Sequence, residues 1–163
     1  MKTVVFDVVQ ISEEYQIRRA TMDDIDGIRQ LTKQQVDYRG KIFNEERFRF
    51  GLKKRVNPKS KMHHFFVCTL GEKIVGMTLV ELIPTCSTEA YLNTLFVDED
   101  HYRQGIGKTM YYFTMDYLKN LGIKTVFINI RKNEPMEISF FEKYGFKVDY
   151  ELKPFTCMVK ELE

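Results

Sequence analysis

Two closely spaced glycines, Gly105 and Gly107, lie near the end of the segment VDEDHYRQGIGK at residues 97–108. The apolar run before this segment has the composition of a β-strand, and the run after it has the periodicity of an amphipathic helix. A turn from strand to helix presents backbone N–H groups that lack partners inside the helix, together with the positive end of the helix dipole. Glycine also lets a phosphate approach the backbone closely. The spacing therefore predicts an anion-binding turn at the start of a helix.

Two common phosphate-binding motifs are excluded at this turn. Gly107-Lys108-Thr109 looks like the end of a Walker A loop, but that loop needs a glycine where this chain has Tyr102. The dinucleotide-binding motif G-x-G-x-x-G needs a third glycine where the chain has Met110. A P-loop nucleotidase is also disfavoured because the chain lacks the strand pattern of a doubly wound sheet.

The composition fits one folded domain. The chain has 163 residues, of which 44% are hydrophobic and 13% are aromatic, so it can form a single core and gives no sign of disorder. The formal net charge is only +2, which argues against binding of nucleic acid through the overall charge of the chain. No nucleic-acid-binding module is recognisable in it.

The cysteines and histidines predict no metal site. The chain has three cysteines, widely spaced and without a C-x-x-C pair: Cys68, Cys86 and Cys157. His63 and His64 have no acidic or cysteine partner at the spacing of metal ligands. Reduced thiols suggest a cytoplasmic protein. Asp7 interrupts the N-terminal apolar patch before it could be the core of a signal peptide, and no apolar run approaches the ~20 residues of a membrane helix.

The first half of the chain predicts strands and two helices. Residues 1–14 are an N-terminal extension with strand composition at residues 3–9, which suits an added edge strand, a dimer arm or a frayed tail. A strand at residues 15–20 leads to a capping box that starts at Thr21, followed by the first helix. Asn44 is placed to cap a second helix. Three strands then follow as a meander that ends at residue 97.

The second half predicts the elements around the glycine turn. The helix after the turn has an apolar stripe at Ile106, Met110, Phe113, Tyr117 and Leu121. Residues 124–131 are apolar enough for a strand that is buried on both faces. Asn133 is placed to cap a last helix, and a hairpin ends the chain. The fold class is α+β, in the order β-α-α-β-β-β-α-β-α-β-β, with a mostly antiparallel sheet and one parallel junction.

Three stretches of the sequence resemble the GNAT (GCN5-related N-acetyltransferase) superfamily. They are IRRATMDD at residues 17–24, YLNTLFV with QGIGK at residues 91–108, and a stretch from Asn133 to a Tyr-Gly-Phe sequence at residues 144–146. The resemblance covers residues 15–160 and implies a single GNAT-like acyltransferase domain over residues 15–163. It also implies that the parallel junction is splayed.

The resemblance further implies acetyl-CoA as the cosubstrate. The backbone of Leu95, Phe96 and Val97 would hold the pantetheine arm, and Asn133 would contact that arm. The pyrophosphate would lie on the backbone amides of Arg103, Gln104, Gly105, Ile106, Gly107 and Lys108.

The residues expected for proton transfer depart from the pattern of the family. Diamine acetyltransferases have a carboxylate on the fourth strand where this chain has Asn93, which cannot act as a base. The tyrosine that protonates the leaving thiolate in many members is Phe141 here. Glu89, which lies on the same strand face as Asn93, is the candidate base, acting through water, and Tyr144 is the candidate acid. An amine that solvent deprotonates needs neither residue.

Two functions remain open at this point. The first is an N-acetyltransferase that moves an acetyl group from acetyl-CoA to a primary amine of a small molecule or a protein. The second is a GNAT-fold module that binds acyl-CoA without turnover. The basic stretch at residues 47–61 is either a solvated face or an electrostatic guide for an acidic acceptor or coenzyme phosphates. Neither nucleic acid nor membrane is expected as a partner, and a homodimer is open.

Overall fold

A computed structural model describes residues 8–10 and 15–163, which form one mixed sheet with four helices. The strands are β1 (Val8–Gln10), β2 (Tyr15–Arg19), β3 (His63–Leu70), β4 (Lys73–Leu82), β5 (Glu89–Val97), β6 (Thr125–Arg131), β7 (Lys147–Leu152) and β8 (Phe155–Glu161). The helices are α1 (Ile25–Tyr38), α2 (Glu45–Arg55), α3 (Ile106–Asn120) and α4 (Pro135–Lys143). The strands lie in the order β1-β2-β3-β4-β5-β6-β8-β7, and only β5 and β6 pair in parallel. The predicted fold class is confirmed.

Two predicted caps fix the entry into the first helices. The Asp24 carboxylate accepts a hydrogen bond from the Thr21 backbone N–H at 2.8 Å, in a capping box that opens the short 3₁₀ turn before α1. The Asn44 side chain accepts a hydrogen bond from the Arg47 backbone N–H at 2.9 Å at the start of α2. Each cap gives an N–H group a partner that the helix itself cannot supply.

Helices cover both faces of the sheet. On one face, α3 and α4 bury a cluster that includes Tyr111, Leu118 and Phe141 against the strands. On the other face, α1 and α2 bury Leu31 and Leu52. Since both faces are covered, the glycine turn between β5 and α3 is held from two sides by packed elements.

The close packing of α3 on the sheet depends on a glycine. A Cβ atom built at Gly76 would lie 2.5 Å from the sulfur of Met110, a distance that no real contact allows. Met110 is fully buried in α3, so the glycine in β4 is what lets the helix approach.

Three predictions about the second half were wrong in detail. Leu121 lies beyond the end of α3 and is 40% exposed, so it does not belong to the core stripe. Strand β6 is not buried on both faces, because its side chains alternate and Asn129 is exposed. The N-cap of α4 is Glu134 rather than Asn133, which is exposed, and no side chain caps this helix.

The N-terminal extension contributes to the sheet. Strand β1 pairs antiparallel with β2, with Val9 opposite Ile17. The rest of the strand expected at residues 3–9 lies outside the described residues. Within the described part of the chain, no helix is long and apolar enough to span a membrane.

Candidate functional site

Strands β5 and β6 part soon after they begin. Their parallel pairing consists of Glu89 with Thr125, Ala90 with Val126, and Tyr91 with Phe127. Beyond that point β5 continues to pair with β4, and β6 continues to pair with β8. The parallel junction is therefore splayed, as expected, and the last residues of β5 have one backbone edge that β6 does not cover.

Where β5 and β6 part, a β-bulge in β5 changes which face of the sheet its side chains point to. Leu92 lies opposite Val80 and Thr94 lies opposite Leu79, so Asn93 is an extra residue between two paired positions. Neighbouring residues of β4 point to opposite faces, which means that Leu92 and Thr94 also point to opposite faces. The Asn93 side chain donates a hydrogen bond to the Glu81 carboxylate at 2.7 Å.

The turn after β5 is anchored by a buried carboxylate. Asp98 is only 3% exposed. Its carboxylate accepts a hydrogen bond from the Gln34 side chain at 2.9 Å and lies 3.3 Å from the Lys73 ammonium and 3.0 Å from His101 Nδ1. Burial acts to raise the pKa of Asp98, but these partners outweigh it and hold the pKa below its usual value. Asp98 therefore stays ionised and ties the turn to α1 and β4.

The glycine turn adopts the backbone conformation that an anion site requires. Arg103 has a φ of 64° and Gly105 has a φ of 79°, both in the left-handed region. The first intrahelical bond of α3 is donated by the Thr109 N–H to the Gly105 carbonyl at 3.0 Å. The amides of Ile106, Gly107 and Lys108 precede that bond, so they have no acceptor inside the helix. The turn therefore presents N–H groups and the positive helix end in one direction.

A cavity of about 650 Å³ lies in front of this turn, and we call it the loop cavity. It lies between the end of β5, the glycine turn, the end of α1 and the start of α4. Most of the residues predicted to hold the coenzyme line it: Leu95, Phe96, Val97, Arg103, Gly105, Ile106, Gly107 and Lys108. The structure thus brings the predicted turn and the predicted strand edge to one cavity.

Four other residues selected from the sequence do not line the loop cavity. The Gln104 side chain instead accepts a hydrogen bond from the Tyr15 hydroxyl at 3.0 Å, and Asn133 is exposed to solvent. Glu89 is the first residue of β5, at the closed end of the junction. The Tyr144 ring stacks on Tyr111 with centroids 4.4 Å apart, on the core side of α4.

Two carboxyl groups that no sequence pattern indicated also line the loop cavity. Glu134, which is buried, pairs with Arg39 of α1 at 3.3 Å and so joins α4 to the opposite wall of the cavity. Burial, with the hydrogen bond and negative charge of Glu134, raises the pKa of Glu137 to about 8, although Arg39 opposes the rise. Glu137 is therefore largely protonated at neutral pH, and its single O–H group donates to the Glu134 carboxylate.

A second cavity of about 390 Å³ adjoins the first, and we call it the arginine cavity. Gln35 and Arg39 line both cavities. Strand β5 also passes from one to the other, with Asn93 and Thr94 in the arginine cavity and Leu95 in the loop cavity. Two molecules bound in the two cavities would therefore meet at the middle of β5.

With this fold and geometry, the chain belongs to the acetyltransferase (GNAT) family, whose model matches residues 28–146. The chain is 26% identical to an uncharacterized N-acetyltransferase of Methanocaldococcus jannaschii over 96% of its own length and 71% of that relative. It is 27% identical to the [ribosomal protein bS18]-alanine N-acetyltransferase of Escherichia coli, over 50% of its length and 53% of that enzyme.

Solved structures of acetyltransferases share the fold. The PaiA N-acetyltransferase of Thermoplasma acidophilum, determined in complex with coenzyme A, matches with a TM-score of 0.72 and 19% identity, over 91% of this chain and 99% of that one. An acetyltransferase of Thermus thermophilus matches with a TM-score of 0.77 and 21% identity, over 91% of this chain and 97% of that one.

The raised pKa of Glu137 predicts a pH dependence of stability. The pKa of Glu137 is about 8 in the folded protein, and its ordinary value is 4.5. At pH values between these two, the folded protein holds a proton that the unfolded chain has released. The contribution of Glu137 to the free energy of unfolding therefore falls as the pH rises through this window and is constant above it. Glu137→Gln should remove this fall, as measured by urea unfolding at about pH 5 and about pH 9.

Glu142→Gln, at an exposed position of the same helix, is the control and should leave the difference between the two pH values unchanged. An equal pH dependence in the wild type and in Glu137→Gln would contradict the assignment of the raised pKa.

Proposed function

We propose that this protein transfers an acetyl group from acetyl-CoA to a primary amine, with residues 15–163 acting as one acyltransferase domain. The observation that carries the proposal is the junction of the two cavities at β5. The loop cavity has the features that a phosphate-bearing donor needs, and the arginine cavity gives a second molecule access to the end of that donor.

The pyrophosphate of the donor would lie on the glycine turn. The amides at the start of α3 supply N–H donors without charge, and the side chains of Arg103 and Lys108 supply positive charge at the same cavity. Tyr38, Tyr102 and Met136 line the cavity and are each at least half exposed. Removing these exposed apolar side chains from water under a ligand arm is favourable for binding.

The pantetheine arm would extend along the free edge of β5. Leu95, Phe96 and Val97 lie past the point where β6 departs, so an amide-containing arm can pair with their backbone as an added strand does. Protonated Glu137 places no negative charge near the phosphates. Asn133 is exposed and does not line the loop cavity, so the proposal gives it no contact with the arm.

The acetyl group would then lie near Thr94 and Leu95, where the cavities meet. The amine nitrogen attacks the thioester carbonyl carbon, a C–N bond forms, and the C–S bond breaks to release the thiolate of coenzyme A. The amine loses a proton and the thiolate gains one. Holding both reactants in adjoining cavities replaces an encounter in solution by an oriented reaction, which accounts for much of the rate gain.

Two carboxylates compete for the role of base. Glu89 is four residues before Asn93, at the closed end of the junction. Glu81 accepts a hydrogen bond from Asn93, which lines the arginine cavity, so a single residue separates its carboxylate from the acceptor. We propose that Glu81, acting through water, takes the proton, and that Tyr144 has a packing role against Tyr111.

The first test is a calorimetric titration of the purified protein with acetyl-CoA, with ATP as the control. Binding at micromolar concentrations (about −8 kcal/mol) with no response to ATP is the expected result. Product formation with a panel of amines then separates an enzyme from a module that binds acyl-CoA without turnover. The absence of acetyl-CoA binding would refute the acetyltransferase and would leave only a module that binds a different acyl-CoA.

Gly107→Ala should change stability and binding in opposite directions. Gly107 is the second residue of α3, and a Cβ atom there would contact only the Val97 side chain at 3.6 Å. Alanine in a helix raises the free energy of unfolding by roughly 0.5–1 kcal/mol. The added methyl group reduces the approach of a phosphate to the backbone, so affinity for acetyl-CoA should fall about tenfold, as expected for one lost hydrogen bond to a charged group.

Gly51→Ala, within α2, is the matched control because a Cβ atom there also makes only an ordinary contact, 3.6 Å to Arg55. It should stabilise the protein without changing the affinity measured by calorimetry. Unchanged affinity in Gly107→Ala would show that the phosphate does not approach this residue.

Replacing each candidate base by glutamine should distinguish them. Glu81→Gln removes the carboxylate beside Asn93 and should lower kcat/KM by about 10²-fold or more near neutral pH. Glu89→Gln should leave kcat/KM unchanged. The reverse pattern would assign the base to Glu89, and an unchanged kcat/KM in both variants would mean that solvent deprotonates the amine.

A further inference from the structure

The arginine cavity has three guanidinium groups and no carboxylate among its lining residues. Arg39 comes from the end of α1, Arg55 from the end of α2, and Arg131 from the end of β6. Asn93, Thr94 and Asn129 add polar side chains to the walls. Three separate elements therefore deliver positive charge to one space beside the middle of β5.

The positive charge of this cavity is only partly neutralised. Arg39 pairs with Glu134 at 3.3 Å, so this guanidinium has a carboxylate partner from the loop cavity. The Arg131 guanidinium lies over the ring of Phe155, 5.4 Å from its centroid, which orients the group without cancelling its charge. Among the ion pairs of the described residues, none includes Arg55 or Arg131. Two of the three guanidinium groups are thus available to a ligand.

A cavity with this charge discriminates between acceptors. A guanidinium group matches carboxylate and phosphate in both charge and geometry, and forms paired hydrogen bonds with either. A second positive charge on the acceptor, as on a polyamine, would be repelled. The same arginines disfavour the ammonium form of the reacting amine and so lower its pKa, which raises the fraction of the uncharged form that can attack the thioester.

We propose that the acceptor is a small primary amine that also carries a carboxylate or phosphate group, and that Arg55 and Arg131 bind this anionic group. This inference rests on the proposed acetyl transfer, since it names the substrate class of the same site. The anionic group sits between α2 and β6, and the amine points to Thr94 and the donor.

Matched pairs of acceptors test the inference. One pair is an α-amino acid and its carboxamide, and the other is an aminoalkyl phosphate and the corresponding amino alcohol. The members of each pair differ in the anionic group, and the carboxamide has the less basic amine, so intrinsic reactivity favours the neutral member of the first pair. The expected result is that kcat/KM for the anionic member exceeds that of its partner by about tenfold or more in at least one pair. The two pairs distinguish carboxylate from phosphate.

Variants then assign the preference to the arginines. Arg55→Gln and Arg131→Gln should each reduce the preference for the anionic acceptor about tenfold, through a higher KM. Lys54→Gln is the control, because Lys54 is an exposed basic residue of α2 that does not line the arginine cavity. Equal rates with the neutral and anionic members, or a preference unchanged in both arginine variants, would overturn the inference while leaving acetyl transfer intact.

Failure of acetyl transfer itself is distinguishable from failure of this inference. If no amine is acetylated, calorimetric titration with each anionic acceptor in the presence of acetyl-CoA measures binding alone. Binding that weakens about tenfold in Arg131→Gln supports an anion site in a protein without the proposed activity. No binding of either anionic acceptor overturns the inference.

Discussion

The parting of β5 from β6 is the feature on which the rest of the site depends. Two parallel strands normally satisfy each other's backbone groups along their whole length, and here they do so over only three residue pairs. The remaining edge of β5 faces the two cavities instead of a strand, so its N–H and C=O groups are available to water or to a ligand. Helices α1 and α4 close over the gap from opposite sides, and the two cavities lie in the space that they enclose.

The rigidity around this opening comes from groups on neighbouring elements. Asp98 ties the start of the glycine turn to α1 through Gln34 and to β4 through Lys73, and these contacts restrict the turn. Gly76 lets Met110 of α3 pack closely against β4, and this contact holds the first turns of the helix on the sheet. A turn held in this way presents its amides with little loss of conformational entropy on binding, and this preorganisation favours affinity.

The parts of the structure that could be predicted from sequence are those set by local chemistry. The caps at Thr21 and Asn44 and the turn at Gly105 depend on residues close in the chain. The apolar residues of β6 were enough to predict a strand. The exposure of Asn129 follows from the splayed junction, and a local sequence pattern cannot predict where two strands part. The pair of Arg39 and Glu134 joins distant parts of the chain, so neither residue had a sequence signal. The bulge at Asn93 likewise depends on pairing with β4.

Arg39 contributes to the walls of both cavities while its guanidinium is paired with Glu134. A ligand in the loop cavity that weakens this pair leaves more positive charge facing the arginine cavity, and an anion in the arginine cavity competes with Glu134 for the same group. Each ligand therefore changes the affinity of the other by the same factor, as linkage requires. Arg39 is thus the side chain through which ligands in the two cavities would affect each other.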